Sequence, residues 1–148
     1  MDPVLLRHFV YDELLSNGLP PSVSRIAQSF GVDTDEVKRE LAALKLGKTI
    51  LVHPETGEIW MAGPFAAGVT PYRIDRVVGP KQSWWANCAW DMLGVALIVN
   101  EPARLVASCC DCGEVLTLDS SPERGIDSDW LVHFLLPARR WYEDIGFT

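Results

Sequence analysis

Ser22-Val23-Ser24-Arg25-Ile26-Ala27-Gln28-Ser29-Phe30-Gly31-Val32-Asp33-Thr34-Asp35-Glu36-Val37 carries two helix starts separated by one tight turn. Ser22 and Thr34 are candidate N-caps, since their side-chain oxygens accept from first-turn N–H groups that lack a helical partner. Val23, Ile26, Ala27 and Phe30 recur at helical spacing, and so do Val37, Leu41 and Leu44. Gly31-Val32-Asp33 leaves room only for a turn. Upstream, residues 3–16 predict a further helix, with Pro3 in its first turn and Val4, Leu5, Phe9, Val10 and Leu14 along a broad stripe. Asn17-Gly18-Leu19-Pro20-Pro21 ends it. Downstream, Ile50-Leu51-Val52 and Glu58-Ile59-Trp60-Met61 read as a hairpin around residues 53–57. Three helices and a hairpin predict a winged helix-turn-helix-like region over residues 1–62.

Such a region often binds DNA. Here the third helix sets Lys38, Arg39 and Lys45 against Asp35, Glu36 and Glu40, and the whole chain carries a formal charge of −7. Phosphate binding is mainly electrostatic, so a nucleic-acid partner is disfavoured and a scaffold or lid role is expected. The 148 residues, 48% of them hydrophobic, suffice for one domain or two small ones on a shared core. No apolar run approaches the ~20 residues of a membrane span. The start of the chain lacks a basic-then-apolar leader. These features predict no membrane partner and a cytoplasmic location.

Residues 63–71 read as a small, apolar linker, and residues 72–148 as a second, mixed α/β domain. Its expected strands are 72–78, 103–108, 114–118 and 130–136, in a mainly antiparallel sheet. A helix is expected from about Trp85 to Leu93, and periodicity leaves Val95–Val99 open between helix and strand. Residues 119–129 read as a loop, and Pro137 opens a short helix. The fold class is therefore α+β.

The chemistry concentrates in Trp84-Trp85-Ala86-Asn87-Cys88-Ala89-Trp90-Asp91. On a helix, Cys88 and Asp91 share a face, with Cβ atoms roughly 5–6 Å apart. With Asn87 as N-cap, the helix dipole would lower the Cys88 thiol pKa. Trp84, Trp85 and Trp90 would exclude water and raise that of Asp91. A thiolate beside a neutral carboxyl suits attack on a soft centre followed by proton delivery. A buried inert thiol beside a solvated carboxylate is the competing reading.

Cys109, Cys110 and Cys112 cluster before Gly113. Cys109-x-x-Cys112 is half a zinc knuckle, and no imidazole has the spacing to complete it, so structural zinc is disfavoured. A softer ion held by two thiolates fits the same turn. His133, between Val132 and Phe134, reads as a half-buried structural residue. No Ser-His-Asp grouping, Walker loop or dinucleotide fingerprint offers an organic cofactor an anchor.

A helix-turn-helix-like region, a linker, an aromatic-led Cys-x-x-Asp, a Ser-Cys-rich strand turn and Val132-His133-Phe134, in this order, resemble the organomercurial (alkylmercury) lyase family. The resemblance covers most of residues 20–148 and is strongest over 84–94 and 131–144. It implies a cofactor-free enzyme that cleaves carbon–mercury bonds by protonolysis. Two thiolates hold Hg(II), as substrate and product, and an aspartate supplies the proton. Cys88 matches the first thiol and Asp91 the proton donor. Trp84, Trp85, Trp90 and His133 would line the pocket. The implied partners are an organomercurial or other organometal small molecule, and low-molecular-weight thiols or a mercuric reductase as product acceptor. The family's second cysteine aligns with Asp129, which offers only a hard oxygen. The family also extends further beyond Pro137-Ala138-Arg139-Arg140-Trp141 than this chain does. Either the second thiol was lost, with Asp129 as a candidate substitute, or Cys109, Cys110 or Cys112 replaces it, with Cys109 preferred for its spacing to Gly113, or the sequence was cut. The alternatives are a non-catalytic soft-metal or organometal-binding protein that has lost turnover, and a metal-responsive winged-helix regulator.

Overall fold

The computed structural model describes residues 1–45, 47–109, 111–126 and 129–146. Three helices come first: α1 (Pro3–Asn17), α2 (Val23–Phe30) and α3 (Thr34–Lys45). A three-stranded antiparallel sheet follows, in the order β1 (Ile50–Val52), β2 (Ile59–Ala62), β3 (Phe65–Ala66). The second sheet is also antiparallel and runs β5-β4-β6-β7-β8. Its strands are β4 (Arg73–Arg76), β5 (Ser83–Trp85), β6 (Ala103–Ser108), β7 (Val115–Ser121) and β8 (Gly125–Ile126). Helix α4 (Ala89–Val99) joins β5 to β6, and a 3-10 helix spans Ala138–Glu143. The α+β class and the antiparallel pairing follow the sequence reading. No helix among the described residues is long and apolar enough to cross a membrane.

Side chains cap the starts of the first three helices, and that of α3 departs from its expected cap. Asp2 caps α1 by accepting from Val4 N at 2.8 Å, and Ser22 caps α2 by accepting from Arg25 N at 3.1 Å. The start of α3 is capped by Asp33 rather than Thr34: Glu36 N donates to its Oδ1 at 2.7 Å. An ionised carboxylate is the stronger acceptor at this position, so Thr34 becomes the first helical residue.

Four segments depart from the sequence reading. The linker is not plain connection: Phe65 and Ala66 pair with β2 as β3, and Phe65 is fully buried. An apolar linker finds its lowest energy by joining the core. Trp84 and Trp85 lie on β5, where bulky aromatic side chains suit the pleat, so the helix starts only at Ala89. It then passes through Gly94 without interruption, and Val95–Val99 is helical. Residues 119–129 are not all loop, because β7 continues to Ser121 and β8 follows. Residues 130–136 form no strand: β8 already occupies the outer edge of β7, and Leu131 and Leu135 stay exposed.

One apolar core runs through both sheets and all four α-helices, taking Leu14 from α1, Ile26 from α2, Leu41 from α3, Ile50 from β1, Ile74 from β4 and Val95 from α4. Trp84 is 1% exposed and ties the halves together. Its Nε1 donates to the carbonyls of Leu14 at 3.0 Å and Leu15 at 3.3 Å, satisfying last-turn acceptors of α1. The contact depends on Gly18, which ends α1 at φ 79°. A Cβ there would sit 2.3 Å from Ser83 O. Gly18→Ala is therefore expected to lower stability by well over about 1 kcal/mol, since left-handed geometry and a backbone clash add. A fall in urea midpoint at unchanged slope checks this. Gly31→Ala is the control: φ is 66°, but nothing lies within 4 Å of the new Cβ, so its loss should be smaller.

Candidate active site

Backbone pairing delivers the chain to the site. Beyond the last β5 pair, Ala86 N donates to Tyr72 O at 2.9 Å and Asn87 N to Pro64 O at 3.4 Å. Cys88 then breaks from extended structure into α4, and it is itself the N-cap: Asp91 N donates to its Sγ at 3.4 Å. The expected cap, Asn87, has a different task. Its Nδ2 donates to Pro64 O and to Asp91 Oδ2, each at 3.0 Å, and so clamps the carboxyl to the backbone of the neighbouring strand connection. An asparagine fits because one amide NH₂ has two donors.

The Cys88 thiol is pushed up, contrary to the expectation from the helix dipole. Burial is the largest cause; the Asp91 backbone N–H works against it and the Asp91 carboxylate adds to it. Asp91 is also pushed up, as expected, again chiefly by burial, while hydrogen bonds from Asn87 and Cys88 favour its ionised form. Two half-buried acids in contact resist double ionisation, so the pair tends to hold one proton between them.

Cys88, Asp91 and Asn87 open onto a cavity of about 380 Å³. Its wall comes from Lys48, Thr49, Leu51, Met61 and Tyr72. Its roof comes from Phe134, Trp141, Tyr142 and Ile145. Trp141 stacks on Phe134 with ring centroids 5.2 Å apart, and Phe134 meets Trp90 edge-on at 6.1 Å. Tyr142 closes the roof onto the wall: its hydroxyl donates to Lys48 O at 3.4 Å, and Lys48 Nζ sits 4.1 Å from its ring centroid.

The aromatic surround is therefore real but built from other rings than the sequence suggested. Trp84 is buried under α1, and Trp85 is half-buried on β5; neither lines the cavity. Trp90 supports the roof through Phe134. His133 is exposed rather than half-buried and, like Asp129, does not line the cavity. Cys109 and Cys112 lie at the β6–β7 turn, also outside the lining, and Cys110 lies outside the described residues. Among the described residues, no group of three or more His, Cys, Asp or Glu could hold a metal ion. Sequence reasoning missed Asn87 as a clamp and Lys48, Trp141 and Tyr142 as enclosure. An asparagine four residues before the acid was the available signal for the first.

A thiol caps a helix three residues before a half-buried carboxyl, and both face a cavity edged by aromatic rings. The sequence profile of the alkylmercury lyase (MerB) family matches residues 65–145, more than half of the chain, and includes the thiol, the carboxyl and the roof. The chain belongs to the alkylmercury lyase family. Among solved structures, the mercury-bound form of MerB2 matches with a TM-score of 0.60 at 16% identity, over 85% of this chain and 58% of that one. The chain thus spans less than two thirds of that structure, and the likeness is one of fold. No curated protein sequence matches.

Proposed function

We propose that this protein cleaves the carbon–mercury bond of an organomercurial small molecule, with Cys88 as mercury ligand and Asp91 as proton carrier. The observation that carries the reading is the contact of two acids, both with raised pKa, at a cavity edged by Phe134, Trp141 and Tyr142. The thiol displaces the leaving ligand on mercury, and the thiol proton passes to the Asp91 carboxylate. Sulfur bound to Hg(II) pushes electron density toward carbon. Asp91 then returns the proton to carbon: the Hg–C electron pair becomes the C–H bond, hydrocarbon leaves, and mercury stays Hg(II). Asn87 orients the carboxyl throughout. No step needs an organic cofactor.

The product needs a second anionic ligand. A low-molecular-weight thiol entering the cavity fits, because mercury prefers sulfur and Asp129 offers only oxygen. We read α1–α3 with β1–β2 as a winged-helix-like scaffold for the site. Its contribution is the wall that Lys48, Thr49, Leu51 and Met61 supply. The test is incubation with an organomercurial and excess small thiol, with released hydrocarbon measured by gas chromatography. Stoichiometric mercury retention without hydrocarbon would overturn catalysis and select a binding protein.

The shared proton sets the pH dependence. As pH falls through the raised Asp91 pKa, both groups are protonated and the carboxyl cannot accept the thiol proton. As pH rises through the raised Cys88 pKa, both are ionised and no proton remains to deliver. A bell-shaped rate profile is expected. Asn87→Ala removes a hydrogen bond that favours the carboxylate, so the acid limb should move to higher pH. An unmoved limb would remove Asn87 from the site.

A further inference from the structure

The β6–β7 turn is closed by its own backbone. Cys109 N donates to Glu114 O at 2.8 Å, and Gly113 N donates to Cys109 O at 2.9 Å. Gly113 takes φ 74°, which bends the chain back on itself. The bend puts Cys109 and Cys112, three residues apart in sequence, at the two ends of one tight turn. Both cysteines are free; Cys109 is half-buried and Cys112 exposed. Neither belongs to the cavity above Cys88.

We propose that Cys109 and Cys112 form a second site, a chelating dithiol for a soft two-coordinate cation, with inorganic Hg(II) as the ligand of best fit. Two metal–sulfur bonds of about 2.3 Å each set the sulfurs up to roughly 4.6 Å apart when collinear. A turn closed by Gly113 N on Cys109 O keeps its two cysteines within reach of that span. A linear ion needs no further donor, whereas zinc closes with four. The backbone N–H groups of Cys112 and Asp111 hold the Cys109 thiol below its ordinary pKa, which favours negative charge on sulfur. Binding exchanges two thiol protons for one Hg(II), with no change of oxidation state.

The sheet explains why this site stands where it does. Arg73 of β4 pairs with Trp85 of β5 on one side and Val106 of β6 on the other. Cys88 follows Trp85 by three residues, and Cys109 follows Val106 by three. Both chains therefore leave the same end of the sheet, two strand spacings or about 10 Å apart at the last common pair. Hg(II) left on Cys88 would find a dithiol acceptor at that end. This acceptor role rests on the proposed lyase reaction; the binding does not.

The test uses mercuric chloride in the full-length Cys88→Ser protein, with excess monothiol and strict exclusion of oxygen, followed by desalting and metal analysis. A chelating pair outcompetes free monothiol through its high effective concentration, so about one Hg(II) per chain should remain. Adding Cys109→Ser or Cys112→Ser should reduce retention at least about tenfold for the same reason, while adding Cys110→Ser should leave it. Cys→Ala versions, checked by circular dichroism, replace any variant that misfolds. No retention in Cys88→Ser, retention that survives loss of Cys109 or Cys112, or loss with Cys110→Ser would overturn the proposal. Hydrocarbon is not read, so an inactive parent bears only on the lyase reading.

Discussion

Asp91→Asn should still hold mercury on Cys88 but release hydrocarbon at least about 100-fold more slowly, the usual scale for a positioned acid. The amide is nearly isosteric and still presents an oxygen to Asn87 Nδ2, so the local geometry survives. It can neither take the thiol proton nor return it to carbon. Stability should move the other way. Burial raises the folded-state pKa of Asp91 above its ordinary value. Its stabilising contribution is therefore full below the unfolded carboxylate range and is lost as pH rises through the folded pKa. At neutral pH the parent bears the cost of a half-buried carboxylate, and the amide does not. Asp91→Asn should melt at or above the parent temperature at neutral pH, with the advantage shrinking in acid. A slow but more stable variant is the signature of a functional group held against its own solvation. Parent-level turnover would move the proton-carrying role elsewhere; a large loss of melting temperature would show that Asp91 is structural.

Local chemistry made the first third of the chain readable. Ser22, Gly18 and Gly31 mark helix ends by mechanisms that operate within four residues, and the structure uses each of them. The errors arose where long-range pairing decides. Nothing near Trp84 announces that its indole bonds α1, some 70 residues earlier, and that its flank must then be strand. Likewise, the 130–136 segment has strand composition, but β8 occupies the outer edge of β7. Phe134 of that segment instead lines the cavity that holds Cys88 and Asp91, stacked on Trp141.

The placement of Cys88 and Asp91 was legible, and the electrostatics of the thiol was misread. Cys-x-x-Asp put both groups at one helix start, which the structure keeps. The helix dipole was expected to dominate the thiol. Capping places Cys88 half-buried and against a carboxylate, and those two effects outweigh the backbone N–H groups of Asp91 and Trp90. The difference matters for mechanism: a protonated thiol needs a base at the moment mercury binds, and Asp91 is in contact to serve.

Cys88→Ser should reduce hydrocarbon release below about one thousandth of the parent, the order seen when a nucleophile acting as part of a unit is removed. A serine hydroxyl is a hard donor and stays protonated at neutral pH, so it neither captures mercury nor activates the Hg–C bond. The usual objection to such a variant is misfolding, and here the fold answers it. Cys88 is the N-cap of α4, and serine is among the best residues for that position. Its Oγ can accept from Asp91 N as the sulfur does, so melting temperature should hold or rise. Cys88→Ala gives the complementary result: activity is lost equally, and losing the cap costs about 1 kcal/mol. Measured together by gas chromatography and thermal melts, the two variants separate chemistry from capping. If Cys88→Ser keeps more than about a tenth of the parent rate, a loss far short of the nucleophile scale, another residue holds the metal. If it unfolds while Cys88→Ala does not, the helix start is held by something other than the cap geometry described for Cys88 and Asp91.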